Sequence, residues 1–236
     1  MALTPAASAD AGDWIVDDIR RHPRGVSFPM PTTFDAYARV FHPLARGVGA
    51  TIPEVSWREV AEVLDTVFHP GAQWDALSAP TRRSPADERP FEWDGAPDEG
   101  SLAATQLRAL ASTLSVHTGT PSQCWFGVWV GWAELAYRWR AAPVLELSDR
   151  SMALLEGSIT DASADLAEGP GRHQSANLWW PADRRWLVST EVDAMTTYVG
   201  GDIETIEAAI GTPELEAARV PREQTQRWFP DEHNRR

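Results

Sequence analysis

The run Cys124–Trp132, CWFGVWVGW, constrains this chain more than any other segment. Aromatic and β-branched residues dominate it, and these fit a pleated, packed surface better than a helix. Extended to Ala133 it reaches only about half of the roughly 20 residues a membrane-spanning helix needs, and it leads into Glu134, Arg138 and Arg140. A buried central strand is the reading that remains. Gly127 and Gly131 leave room beside it for another backbone or a large ring.

Other segments supply partners for such a strand. Over Phe34–Phe41, Tyr37, Arg39 and Phe41 alternate with Ala36, Ala38 and Val40 until Pro43, which predicts a strand. Val144–Leu147 and Met152–Ile159 flank a Ser148-Asp149-Arg150 turn as a hairpin, and Trp186–Val192 and Thr197–Val199 add two strands before Gly200-Gly201 turns the chain. Ser56 and Glu59 form a capping box ahead of Trp57, Val60, Ala61 and Leu64, predicting a helix that runs to Val67. Leu102, Leu107, Leu110 and Leu114 predict a second helix, ending near His117-Thr118-Gly119. Asp202 caps a third through Ile210, with Ile203, Ile206 and Ile210 on one side and Gly211 as its stop. Asp13–Arg20 has the makings of a short helix before the prolines at 23, 29 and 31 break the pattern. The proline-rich, charged stretch 78–100 reads as an insert, residues 160–172 with their Gly-Pro-Gly end read as a flexible connection, and the Arg/Glu-rich C-terminus reads as surface. Together these predict an α+β fold, a single domain over residues 1–236, with a largely antiparallel sheet of about five or six strands packed against two or three helices.

Composition narrows the function classes. A net charge of -13 opposes a phosphate backbone, so no nucleic acid is expected as a partner. All 21 basic residues are arginine. The absence of lysine removes a Walker-type phosphate lysine, a pyridoxal-phosphate Schiff base and the nucleotide-pairing lysine of kinases. This usage is what a GC-rich genome produces, and an actinobacterial source fits it. The lone Cys124 can form neither an internal disulfide nor a multi-thiolate zinc site, and no cofactor or metal is expected. The opening MALTPAASADAG has neither a basic start nor an apolar stretch, so the expected location is cytoplasmic, with no membrane partner.

Candidate site residues come from two features. Twelve tryptophans are many for this length, and Trp125, Trp129 and Trp132, with Trp179, Trp180 and Trp186, either line a pocket for a flat or cationic ligand or fill a core between layers. Glu191 and Asp193 stand two apart on a predicted strand, which places both carboxylates on one face, where repulsion would raise one pKa for acid/base work. They are the weak catalytic candidates, against the simpler reading of a solvated strand face. Between Trp186 and Ala218 there are seven acids and no arginine, a patch suited to a basic protein partner. His42 and His69 share a Val-Phe-His-Pro context but lack metal-site spacing, and Cys124 beside Trp125 reads as an inert thiol.

The segments FDAYARVFHP, HTGTPSQCWFGVW, WWPADRRWLVSTEVD and TYVGG together resemble a family of uncharacterised actinobacterial proteins with no known activity. The resemblance implies Trp125, Trp129, Trp180, Asp183, Arg39 and His42 as ligand-binding candidates beside Glu191 and Asp193. The leading functional expectation is a non-enzymatic immunity or regulatory factor that binds a protein through its acidic surface. The alternative is a small-molecule-binding protein or enzyme with a Trp-lined pocket and the Glu191/Asp193 pair.

Overall fold

The computed structural model describes residues 3–22, 30–44, 54–79, 95–169, 173–225 and 230–234. In chain order the elements are β1 (Thr4–Pro5), α1 (Asp13–Arg21), β2 (Ala36–Phe41), α2 (Trp57–Leu64), α3 (Trp74–Leu77), α4 (Ala104–Ser115), β3 (Cys124–Trp129), β4 (Val144–Glu146), β5 (Ser151–Gly157), β6 (Leu178–Pro181), β7 (Leu187–Thr190), β8 (Thr196–Gly201), α5 (Ile203–Ile210) and β9 (Glu216–Val220). All nine strands join one sheet in the order β1-β5-β3-β6-β7-β8-β2-β9, with β4 on the same edge of β5 as β1. Every pairing is antiparallel.

The expected mixture of helix and antiparallel sheet is therefore present, but among the described residues there are nine strands and five α-helices, more than the sequence predicts. The extra strands are short or polar. β1 has two exposed residues, and β9 reads Glu-Ala-Ala-Arg-Val, with no apolar alternation of its own. Its extended state comes from pairing along its own full length with β2, from Tyr37↔Val220 to Phe41↔Glu216. Gly200 and Gly201 do not turn the chain but lie inside β8. A Cβ on Gly200 would stand 2.5 Å from the Phe34 ring and 2.8 Å from Met30 sulfur, so the glycine lets this segment pack directly on the strand.

Both faces of the sheet are covered, which explains the alternation in β2. Ala36, Ala38 and Val40 join Cys124, Phe126, Val128, Trp179, Val188 and Val199 beneath Leu107, Leu110 and Leu114 of α4 and Ile206 and Ala209 of α5. On the other face Tyr37, Leu154, Leu178, Trp180, Leu187 and Tyr198 meet Ile15 and Ile19 of α1 with Met30 and Phe34. At the end of β2 on that face, Phe41 packs with Trp57, Val60 and Leu64 of α2 and Trp74 and Leu77 of α3. On α5 the buried residues are Thr205, Ile206 and Ala209, whereas Ile203 is 57% exposed, so the packed face is rotated from the isoleucine stripe.

Local signals fix several helix ends. Ser56 Oγ accepts from the Glu59 N–H at 3.1 Å and Glu59 Oε2 accepts from the Ser56 N–H at 2.8 Å, completing the box. Glu216 adds a second cap from β9, accepting from the N–H groups of Trp57 at 2.6 Å and Arg58 at 3.0 Å. Asp202 accepts from the Thr205 N–H at 2.8 Å at the start of α5. The segment read as a connection, 160–172, opens inside a 3₁₀ turn over Ile159–Ser163, and Ile159, Ala162 and Leu166 belong to the α4-side core. Residues 170–172 lie outside the described residues, as do 80–94 of the 78–100 stretch.

Candidate functional site

Strand register decides which tryptophans can meet a ligand. Trp179, Trp180 and Trp186 are at most 1% exposed and fill the core. Trp186 Nε1–H donates to the Leu114 carbonyl at 3.2 Å, and Trp57 Nε1–H to the His42 carbonyl at 2.8 Å, so both large rings are fixed by one polar contact each. Trp125 and Trp129 are only half-buried, both on the α1 side of β3. Trp125 lies across from Trp180, with ring centroids 6.3 Å apart and an interplanar angle of 23°, and Trp14 meets Trp180 edge-on at 6.3 Å. Trp179, Trp180 and Trp186 are thus core residues, while Trp125 and Trp129 keep part of their surface outside the core.

Trp129 belongs to a different neighbourhood. The Arg150 guanidinium lies 5.3 Å from its ring centre, and Arg150 also bridges the two carboxylates, 2.9 Å from Glu191 and 2.9 Å from Asp193. β7 ends at Thr190, so Glu191 and Asp193 sit on a turn, closed by the Ala194 N–H donating to the Glu191 carbonyl at 3.1 Å, and not on a strand face. A guanidinium stands where the acid/base reading needs a shared proton. The pair anchors the β4–β5 turn to the β7–β8 turn.

The other candidates are dispersed. Arg39 is 3% exposed on the α1 side of β2, and its Nη1 donates to the carbonyls of Pro70 at 3.1 Å and Ala72 at 2.8 Å while its plane covers Phe41 at 4.8 Å. Burial lowers its pKa from the ordinary arginine value. His42 projects the opposite way. Its Nδ1–H donates to the Asp98 carbonyl at 2.7 Å and its Nε2 accepts from Thr197 Oγ1 at 2.9 Å. Burial, aided by the Arg39 charge and opposed by the Asp98 bond, brings its pKa down to about 4. Asp183, on the β6–β7 turn, accepts from Thr118 Oγ1 at 2.8 Å and the Gly119 N–H at 2.7 Å, pinning that loop. These three residues hold the chain together at separate places, and none adjoins Trp125.

What does adjoin Trp125 is Glu156. The register Trp125↔Glu156 and Thr4↔Glu156 sets Thr4, Glu156, Trp125 and Trp180 in one row across four strands. A hollow of about 620 Å³ opens over this row, lined also by Ser122, Gln123 and Gly157. Half-buried Glu156 has no ion pair or hydrogen bond among the described residues. Cys124 also borders the hollow, but its side chain lies in the opposite core. Burial, reinforced by Asp183 and Asp161, pushes the thiol up to about 12, so it stays protonated and non-nucleophilic at neutral pH. Sequence reasoning passes over Glu156. Its only signal there is a carboxylate at the end of the apolar run Met152–Leu155.

Among the described residues no group of three or more His, Cys, Asp or Glu side chains is placed to hold a metal ion, and no helix is long and apolar enough to cross a membrane. No protein-family model, curated protein or solved structure matches the chain.

Proposed function

We propose that the chain is a small-molecule-binding protein whose ligand carries an organic cation, held between the Trp125 indole and the Glu156 carboxylate. The observation that carries this reading is a carboxylate, unpaired among the described residues, placed directly beside a half-exposed indole in one hollow. An aromatic face attracts a cation through its quadrupole, and an adjacent carboxylate adds a point charge. The volume of about 620 Å³ falls within the range of ligand sites. Protein binding through the acidic segment draws less support. Five of its seven carboxylates are engaged within the chain: Glu191 and Asp193 by Arg150, Asp202 by Arg185, Glu207 by Arg219, and Glu216 by the first turn of α2.

Choline and its uncharged isostere 3,3-dimethylbutan-1-ol test the reading, with tryptophan fluorescence as the readout. Choline should bind, and both the isostere and the Glu156→Gln variant should weaken binding by about tenfold, the combined scale of a cation–π contact and a partly exposed ion pair. Equal affinity for the isostere, undiminished choline binding by Glu156→Gln, or no choline binding up to about 10 mM would reject it.

A further inference from the structure

A second hollow, of about 580 Å³, lies at the other end of the sheet, where β2 and β9 meet the first turns of α2 and α4. Phe41, Pro43, Pro213 and Leu215 give it apolar walls, and Glu54, Glu214 and Glu216 bring three carboxylates. Each helix start contributes a partial charge of about half a unit, so the carboxylates exceed the two helix ends and the hollow is net negative. Glu216 is committed to capping α2. Glu214 is exposed and has no ion pair or hydrogen bond among the described residues.

The decisive group is Gln106, on the first turn of α4. It is 5% exposed and lines this hollow. Its Nε2 donates to Glu54 Oε2, which fixes the orientation of the amide, because the opposite orientation would set two oxygens against each other. The amide oxygen is thereby left buried and, among the described residues, without a hydrogen-bond partner. A buried carbonyl in that state is costly, and the group that relieves it must be a donor. The neighbouring hydroxyls are turned elsewhere: Ser56 Oγ is held within the capping box, and Thr105 Oγ1, which accepts from Arg108, makes no hydrogen bond to the Gln106 oxygen. The Gln106 oxygen and the carboxylates of Glu54 and Glu214 give the hollow three acceptor groups.

We infer that this hollow binds a small organic molecule bearing an amidinium or guanidinium group. A planar cation of this kind pairs side by side with a carboxylate and keeps further N–H groups for the Gln106 oxygen, while its apolar body lies against Phe41, Pro213 and Leu215. A bare metal ion does not suit the site, since no three ligating side chains converge there among the described residues. The recognition differs from that beside Trp125, where an aromatic face and a single carboxylate set no demand for hydrogen-bond donors.

Calorimetric titration of the full chain with benzamidine and with benzamide, its uncharged counterpart of nearly the same shape, tests the assignment. Benzamidine should bind at least about tenfold tighter than benzamide. Glu214→Gln, on an exposed side chain that leaves the fold undisturbed, should weaken benzamidine about three- to tenfold, and Gln106→Leu by a comparable factor. In a Glu156→Gln background, which weakens cation binding beside Trp125, the Glu214→Gln loss of benzamidine affinity should persist, which separates this hollow from the one beside Trp125. Equal binding of benzamide, unchanged affinity in Glu214→Gln, loss of the Glu214→Gln effect in the Glu156→Gln background, or no heat up to about 10 mM ligand would each overturn it.

Discussion

His42 makes stability fall with pH in a window that its surroundings define. In the folded chain its Nδ1–H is committed to the Asp98 carbonyl and its Nε2 lone pair to Thr197, whose hydroxyl also meets Thr190 at 2.7 Å. Protonation would place a charge at a 1%-exposed site near Arg39. The folded pKa is about 4 against 6.5 for a free histidine. Because the folded value is the lower one, the unfolded chain takes up the proton first as pH falls. The contribution is therefore complete above pH 6.5 and is lost progressively towards pH 4. The full span corresponds to about 3 kcal/mol, and between about pH 7.5 and about pH 5 roughly 2 kcal/mol should disappear. His42→Gln keeps an N–H for Asp98 and an oxygen for Thr197 but does not titrate. Urea unfolding of both proteins at the two pH values isolates the effect, since every other titrating group is common to them. The wild-type chain should lose about 2 kcal/mol more than the variant. An equal loss in the two would refute the assignment of a neutral, buried imidazole.

Two further outcomes follow from the packing. Asp193 is 79% exposed in its side chain and Glu191 only 12%, so Asp193→Asn should change unfolding free energy by less than about 0.5 kcal/mol whereas Glu191→Gln should cost about 1–3 kcal/mol; equal costs by chemical denaturation would contradict the bridging role of Arg150. Gly95 and Gly100 both have positive φ, 73° and 69°, but an added Cβ meets nothing within 4 Å at Gly95 and lies 2.4 Å from the Val192 carbonyl oxygen at Gly100. Gly95→Ala should therefore cost about 1 kcal/mol of backbone strain, and Gly100→Ala at least about 2 kcal/mol more, as read from thermal or urea unfolding.

The parts of the fold legible in the sequence are those whose determinants are local. The capping box of α2 needs only Ser56 and Glu59, three residues apart, and the hairpin of β4 and β5 needs one turn between two apolar runs. β3 is legible because aromatic and β-branched residues crowd its six positions. β9 is not, because Arg219 and Glu216 become strand residues only through the edge of β2. Ile203 misleads for a related reason: which stripe of α5 faces inward is set by where β2, β8 and α4 lie, and that choice buries Thr205 and Ala209 in preference to Ile203.

The same distinction governs the site. Trp125 announces itself by composition, but composition cannot tell it from Trp179 or Trp180, which differ only in what the sheet and helices lay over them. Glu191 and Asp193 look paired because they are close in sequence, and what they share is Arg150, which comes from the neighbouring hairpin turn. Glu156 and Trp125 become neighbours only when β3 and β5 pair in the observed register; a slip of one residue would send the carboxylate to the α4 face, into the apolar core. That register is strongly held, because Leu155 and Phe126 on one face and Leu154 on the other are all fully buried. The apolar residues that stabilise the sheet therefore also keep the Glu156 carboxylate beside the Trp125 indole, and the proposed ligand site is a consequence of the packing of β3 against β5.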